Sequence, residues 1–172
     1  MNPQDLLILL KIFLWNDGKW STASLGKTIG LSKSQVHYGI KRCIDVGLIG
    51  KKTLQPNPKL LLELIEHGIK FMFPPAWKEN ALGIPTSYST DPLIELIINP
   101  GSQIIWETKS GLTKGVALKP IYQTVPESCL KDRQLYDYFS LIDAYRSGRA
   151  REKSLALTEL KKRINARGVK FA

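Results

Sequence analysis

Cysteine and histidine are scarce in this chain, with two of each among 172 residues. Cys43 and Cys129 are too few for a disulfide framework, and together with two distant histidines they do not have the spacing of a zinc site. The sequence also lacks a glycine-rich phosphate-binding motif, a nucleophile motif and a close cluster of acidic residues. We therefore expect a protein without enzymatic activity, without a metal and without a cofactor.

Long apolar runs are also missing. No stretch approaches the length of a membrane-spanning helix, and Lys11 interrupts the apolar segment near the N-terminus. That segment is not preceded by the basic region that opens a signal peptide. We expect a soluble cytoplasmic protein with no membrane partner.

Acidic residues are fewer than basic ones. Lysine and arginine total 25 against 15 aspartates and glutamates, which leaves a net charge of +10. The imbalance is concentrated at the start, where residues 1–60 hold nine basic and three acidic side chains. Such a distribution favours a polyanionic partner, either nucleic acid or an anionic lipid surface.

Residues 21–49 carry the clearest structural signals. Ser32 precedes an apolar-periodic run and Gln35 follows it by three positions, which is the capping box of a helix start. Ser21 is the expected cap of a shorter helix before it. Gly30 lies between the two helices and supplies the left-handed residue that a tight turn needs. The pattern predicts a helix-turn-helix.

The second helix of this motif has two predicted faces. Apolar residues at helical spacing should pack inward, whereas polar and basic side chains should point outward. A protein that recognises a DNA duplex needs cations for phosphates, and amide and hydroxyl groups for base edges. We predict that double-stranded DNA is contacted by this helix, by one lysine of the helix before it and by two lysines of the wing that follows it. These residues are Lys27, Lys33, Ser34, Gln35, His37, Tyr38, Lys41, Arg42, Lys51 and Lys52.

The segment LGKTIGLSKSQVHYGIKRCIDVGLI resembles the core of MarR-like and Lrp-like winged helix-turn-helix regulators. In those families a pattern of the form LGLSKSxVxxxIKRLxxxGLI spans the recognition helix and enters the wing. Gly39 departs from the pattern, because a larger residue usually stands there. The resemblance implies a DNA-binding transcriptional regulator, and its specific part covers the first third of the chain. The second half, with GIKFMFP, GIPT and DAYRSGRARE, resembles poorly characterised bacterial winged-helix proteins.

The expected fold is α+β and mainly α. Residues 1–73 are predicted to form the winged helix-turn-helix domain, with a wing strand over Leu48–Leu54. Residues 74–91 are rich in proline, glycine, serine and threonine and are predicted to connect it to the rest. Residues 92–172 should contain a β-hairpin, from Ile104–Thr108 to Gly115–Tyr122, followed by two terminal helices for interaction or dimerisation.

The stretch DAYRSGRARE allows two interpretations. Asp143 with Arg146, and Glu152 with its neighbouring arginines, are expected to form intramolecular ion pairs, and we favour this interpretation. Alternatively, Arg146, Arg149 and Arg151 form a cluster that contacts an anion or a partner protein.

The sequence thus predicts a homodimeric transcriptional regulator that recognises a pseudo-palindromic operator. An alternative is an antitoxin-like module that binds a protein partner through residues 126–165 and regulates its own promoter. A third hypothesis is a repressor that senses a small molecule in a pocket around Trp77, Tyr88 and Trp106.

Overall fold

The computed structural model describes residues 1–15, 19–97 and 101–168. Its helices are α1 Pro3–Leu14, α2 Thr22–Ile29, α3 Lys33–Asp45, α4 Pro58–Glu63, α5 Ile69–Met72, α6 Val125–Leu130, α7 Arg133–Ser147 and α8 Ala150–Gly168. The strands are β1 Trp77–Pro85, β2 Ile104–Glu107 and β3 Thr113–Leu118. A π-helical turn, Leu64–Gly68, joins α4 to α5, and a 3-10 turn, Ser87–Ser89, follows β1. The predicted α+β, mainly helical class is confirmed.

The chain divides into two compact units. Unit 1 comprises Met1–Leu61 and Ile121–Tyr136, and unit 2 comprises Leu62–Pro120 and Asp137–Ala172. This division differs from the predicted one at residues 74–91, because the chain comes back to unit 1 after β3. We call Ile121–Tyr136 the return segment. Its placement could not be inferred from local sequence patterns, since it depends on contacts between residues far apart in the chain.

The first helix of unit 1 begins at Pro3, after Asn2, as the sequence predicts. The five apolar residues Leu6–Leu10 have no exposed surface, and Phe13 is 1% exposed. An apolar helix of this kind is stable only when it is enclosed, and α1 packs against both α2 and α3. The described part of α1 therefore offers no apolar stripe to a second subunit.

The wing of unit 1 is shorter than the predicted strand over Leu48–Leu54. Ile49 and Pro56 form a single antiparallel bridge, and the residues between them make the turn. The Gly50 N–H donates to the Gln55 carbonyl at 2.9 Å, and the Asn57 N–H donates to the Leu48 carbonyl at 2.9 Å. The predicted strand is wrong because the backbone reverses direction within it.

The sheet of unit 2 is closed by β1, which lies inside the segment predicted to be a connection. β1 pairs antiparallel with both β2 and β3, so β2 and β3 are parallel to each other. The predicted hairpin between β2 and β3 is therefore wrong. β1 was missed because its first four residues are all exposed and carry no alternating apolar pattern.

The two C-terminal helices supply much of the core of unit 2. Phe139 and Ile142 on α7 are fully buried, as are Leu160 and Ile164 on α8. The helical spacing of these residues predicted both helices, and the structure confirms them.

Candidate nucleic-acid interface

Both helix starts of the helix-turn-helix are capped as the sequence predicts. Ser32 Oγ accepts from the Gln35 N–H at 3.2 Å, and Gln35 Oε1 accepts from the Ser32 N–H at 2.9 Å. At α2, Ser21 and Ser24 make the same reciprocal pair at 3.0 and 2.9 Å. Each pair satisfies N–H groups that a helix start leaves unbonded. Gly30 closes α2 with a φ of 66°, in the left-handed region.

The outward side of α3 is polar and open to solvent. Exposed side chains on this helix include Lys33, Ser34, Gln35, His37, Tyr38 and Lys41, and Asp45 at its last position is exposed too. The inward side is apolar, because Val36, Ile40 and Cys43 are buried. Burial raises the pKa of the Cys43 thiol to about 12, so this cysteine is a protonated core residue at neutral pH.

Gly39 allows α1 to approach α3 closely. A Cβ atom at this position would lie 2.4 Å from Ile8 Cδ1 and 3.0 Å from Asp5 Oδ1. The larger residue that usually stands here in the resembling families would therefore collide with α1. The departure from the pattern is explained by helix packing, and it preserves the course of α3.

Arg42 is turned towards the protein, although the sequence predicted a DNA contact. Its Nε and Nη2 donate to the two carboxylate oxygens of Asp5 at 2.8 and 2.6 Å. This bidentate bond raises the pKa of Arg42. Asp5 is fully buried and also accepts from the Asn2 N–H at 2.7 Å. The Asp5 carboxylate thus takes the Nε–H and one Nη2–H of Arg42, and we propose that this residue mainly holds α1 against α3.

Gln35 is exposed as predicted, but its amide group has protein partners on both sides. The oxygen belongs to the capping box, and Nε2 donates to Tyr122 Oη at 3.4 Å. Tyr122 comes from the return segment, 87 positions along the chain. Sequence reasoning missed this neighbour because no local pattern links residues so far apart.

The remaining predicted lysines of unit 1 are exposed. Lys27 lies in the last turn of α2, and Lys51 and Lys52 lie in the turn of the wing. All three can therefore reach solvent anions, and lysine ammonium groups bind phosphates as point charges. Their assignment as DNA contacts stays a prediction.

Arg146 is placed inside unit 2, which contradicts the suggestion that it contacts a partner. Its side chain is 2% exposed and donates to Asp143 Oδ1 at 2.8 Å. It also donates to the backbone carbonyls of Phe73, Pro74 and Lys119 at 2.7–3.2 Å. The preferred intramolecular ion pair is confirmed, because a buried guanidinium needs an acceptor for each donor direction.

Arg149 and Arg151 differ from Arg146 because both are exposed. The backbone N–H of Arg149 donates to Glu152 Oε2 at 2.7 Å, and Arg151 Nη2 approaches the Leu96 carbonyl at 3.5 Å. A role of these two arginines in binding an anion or a partner stays a prediction.

Trp106 does not line an open pocket with Trp77. The Trp106 side chain is fully buried and its Nε1 donates to Asp143 Oδ2 at 2.7 Å. Thr86 Oγ1 donates to the same carboxylate oxygen at 3.0 Å. Trp77, in contrast, is 47% exposed at the start of β1. Trp106 is thus the core anchor of the sheet, as its hydrogen bond and burial require.

The described residues contain neither a membrane-spanning helix nor a metal-binding cluster. No helix in the ranges 1–15, 19–97 and 101–168 has the length and apolarity needed to cross a bilayer. Within the same ranges, histidine, cysteine, aspartate and glutamate side chains do not gather into groups of three or more that could hold a metal ion.

The α2–turn–α3 arrangement with its short wing defines the class: unit 1 contains a winged helix-turn-helix. Comparison with known proteins agrees in the N-terminal part of the chain. The chain is 42% identical over 48 residues to an uncharacterised HTH-type transcriptional regulator of Pyrococcus horikoshii. The matched stretch is 28% of this chain and 32% of that protein. A regulator described in the same words from Pyrococcus furiosus is 40% identical over 48 residues, with the same coverage. A third, from Pyrococcus abyssi, is 44% identical over 39 residues, or 23% of this chain and 26% of that protein.

The matched part therefore spans about a third of the length of these relatives. No family model matches the chain. No solved structure matches it. The similarity supports a helix-turn-helix regulator in general and does not single out the MarR-like or Lrp-like families. The relatives are archaeal, so the bacterial resemblance of the second half has no support from them.

Proposed function

We propose that this protein binds double-stranded DNA through α3 and regulates transcription. The observation that carries the proposal is the outward side of α3, where hydroxyl, amide, imidazole and ammonium groups are all exposed on a helix capped at its first turn. A helix of this width enters the major groove, where base edges carry a distinct pattern of donors and acceptors. The three archaeal relatives, described as HTH-type transcriptional regulators, support the same function.

The exposed residues divide into two groups by chemistry. Ser34, His37 and Tyr38 carry short-range hydrogen-bonding groups, and we assign them to base edges. We add the second N–H of Gln35 Nε2, which the Tyr122 bond does not use. Lysines are assigned to phosphates, on α2, on α3 and in the wing: Lys27, Lys33, Lys41, Lys51 and Lys52. Arg42 is removed from this set, because Asp5 engages its guanidinium.

We further propose that the protein acts as a homodimer on a pseudo-palindromic operator. In a two-fold dimer, two α3 helices would reach half-sites about one helical turn, or ~34 Å, apart. Light scattering of the purified protein would give its mass in solution. Footprinting would give the spacing of the half-sites. A monomer that protects a single half-site would contradict this part of the proposal.

Fluorescence anisotropy tests DNA binding directly. The probe is a duplex from the region upstream of the coding sequence, compared with a scrambled duplex over a salt series. Tight binding to the upstream duplex near physiological salt is the expected result. Weak binding, equal for both duplexes and lost steeply with salt, would mean that only net charge is recognised, and would contradict a specific regulator.

The antitoxin-like alternative concerns residues 126–165. Its arginine cluster is reduced by the burial of Arg146, and Arg149 and Arg151 remain available at the surface. A stoichiometric protein partner that co-purifies with the intact chain, and is lost when both exposed arginines are replaced by alanine, would favour this alternative.

A further inference from the structure

The return segment is built into the helix-turn-helix. Thr124 Oγ1 donates to the carbonyl of Ile29 at 2.8 Å, which satisfies a backbone acceptor at the end of α2. Lys11 of α1 forms an ion pair with Asp132 at 2.6 Å. Val125 has no exposed surface, and α6 packs against α2. The Thr124 bond fixes the start of the return segment beside the turn that precedes α3, and the Lys11–Asp132 pair holds its later part against α1.

Tyr122 stands at the end of this segment that is nearest to α3. Its hydroxyl oxygen accepts from Gln35 Nε2 at 3.4 Å, and Gln35 belongs to the exposed first turn of α3. Gln35 is itself held by the capping bond to the Ser32 N–H. The Tyr122 hydroxyl therefore lies next to the surface that we assign to DNA, and it is presented by a different element from α3.

The hydroxyl has a proton left to donate. A phenol can accept and donate at the same time, and here Gln35 uses one acceptor position. In the part of the chain that the structure describes, no acceptor takes the proton of this hydroxyl. Tyrosine hydroxyls are common donors to the phosphate oxygens of DNA.

We propose that Tyr122 is a DNA-backbone contact whose hydroxyl donates to a phosphate flanking the groove that α3 enters. This inference rests on the proposed function and extends the interface beyond the helix-turn-helix. A phosphate is the appropriate acceptor because Tyr122 lies beside α3, whereas base edges within the groove are reached from α3 itself. The contact adds affinity for every sequence and does not discriminate among bases.

The test compares Tyr122→Phe with the wild-type chain by anisotropy on the upstream and scrambled duplexes. Loss of one hydrogen bond from a neutral hydroxyl to a charged phosphate should weaken binding to both duplexes by about tenfold. The slope of log K against log salt should not change, because no cation is removed. Tyr145→Phe is the matched control. It also removes a tyrosine hydroxyl bond, to the Glu66 carbonyl at 2.6 Å in unit 2, and it should leave DNA affinity unchanged.

Two further arms separate direct contact from other roles. The Tyr122→Phe effect should persist in a Gln35→Ala background, and it should disappear on a duplex whose contacted phosphate is replaced by a neutral methylphosphonate. An effect that vanishes with Gln35→Ala, or that is confined to the upstream duplex, would overturn the proposal. Unchanged affinity of Tyr122→Phe alongside normal wild-type binding would overturn it too. A wild-type chain that binds neither duplex would instead refute the proposed function itself.

Discussion

Lys41 and Arg42 are adjacent basic residues on α3 with different surroundings. Lys41 is exposed, whereas Arg42 binds the fully buried Asp5 through two hydrogen bonds. Arg42→Met would leave a buried carboxylate without its counter-charge, which costs about 3–5 kcal/mol for a fully buried pair. Because the Arg42 side chain is 34% exposed, we expect a smaller loss of about 2–3 kcal/mol in the free energy of unfolding. Urea denaturation measures this loss.

Lys41→Met serves as the matched control for that prediction. It should leave the free energy of unfolding nearly unchanged, weaken DNA binding for all sequences and reduce the salt slope by about one. Folded Arg42→Met should keep most of its DNA affinity, measured by anisotropy well below its melting temperature. The assignment of the two residues would be reversed if Arg42→Met lost affinity and kept stability.

Gly39→Ala tests the close contact between α1 and α3. Alanine favours a helix over glycine by about 1 kcal/mol, so an open site would gain stability. Here the new methyl group would meet Ile8 Cδ1 at 2.4 Å inside a filled core, and Asp5 at 3.0 Å. Overpacking costs about 1–3 kcal/mol, so we expect a net loss of about 1 kcal/mol in thermal or urea denaturation. Ser34→Ala on the exposed side of α3 is the control, and a gain in stability for Gly39→Ala would disprove the packing account.

At the scale of elements, α3 depends on the cap at its start. Ser32→Ala removes the acceptor of the Gln35 N–H and half of the capping box. We expect a loss of about 1 kcal/mol in the free energy of unfolding. Fraying of the first turn should also weaken DNA binding, because Lys33, Ser34 and Gln35 are all in that turn. Ser32→Asp, which restores a cap acceptor, should recover the stability; failure to recover it would show that the cap is not the cause.

In unit 2, Arg146 joins α7 to the sheet and its connections. Arg146→Met would leave the buried Asp143 carboxylate without its counter-charge and would remove the Arg146 bonds to three carbonyls, and we expect a loss of about 3–5 kcal/mol in the free energy of unfolding. Arg146→Lys should recover little, because an ammonium cannot reproduce the planar set of donors. Urea denaturation followed by tryptophan fluorescence, to which the buried Trp106 beside Asp143 contributes, measures both variants. Full rescue by lysine would show that charge alone matters at this site.

At the scale of the whole molecule, the return segment completes unit 1. A fragment of residues 1–73, the domain predicted from sequence, would lack the Thr124 bond to Ile29, the Asp132 partner of Lys11 and the buried Val125. We expect this fragment to melt at a lower temperature and with less cooperativity than residues 1–61 joined by a flexible linker to 121–136. Circular dichroism melts compare the two, and equal melting curves would show that the return segment is dispensable for unit 1.

Several features of this protein were determined by the sequence alone, because they depend on residues close together in the chain. The serine caps of α2 and α3, the left-handed Gly30 and the helical spacing of α7 and α8 are all local, and the structure confirms each of them. Helix faces also follow from local periodicity, so the sequence could predict that the polar residues between Lys33 and Lys41 are exposed on the outer side of α3.

Only the tertiary structure decided the pairings between distant residues. In the folded chain Arg42 bonds to Asp5, Arg146 to the Lys119 carbonyl and Gln35 to Tyr122, and no pattern in a single sequence predicts such partners. The fold also paired β1 with both β2 and β3, although the exposed start of β1 lacks an apolar signal. The physical reason is common to these cases: a charge, a polar side chain or an unpaired strand edge finds its partner among the groups that the folded chain brings near, and the fold as a whole determines which groups those are.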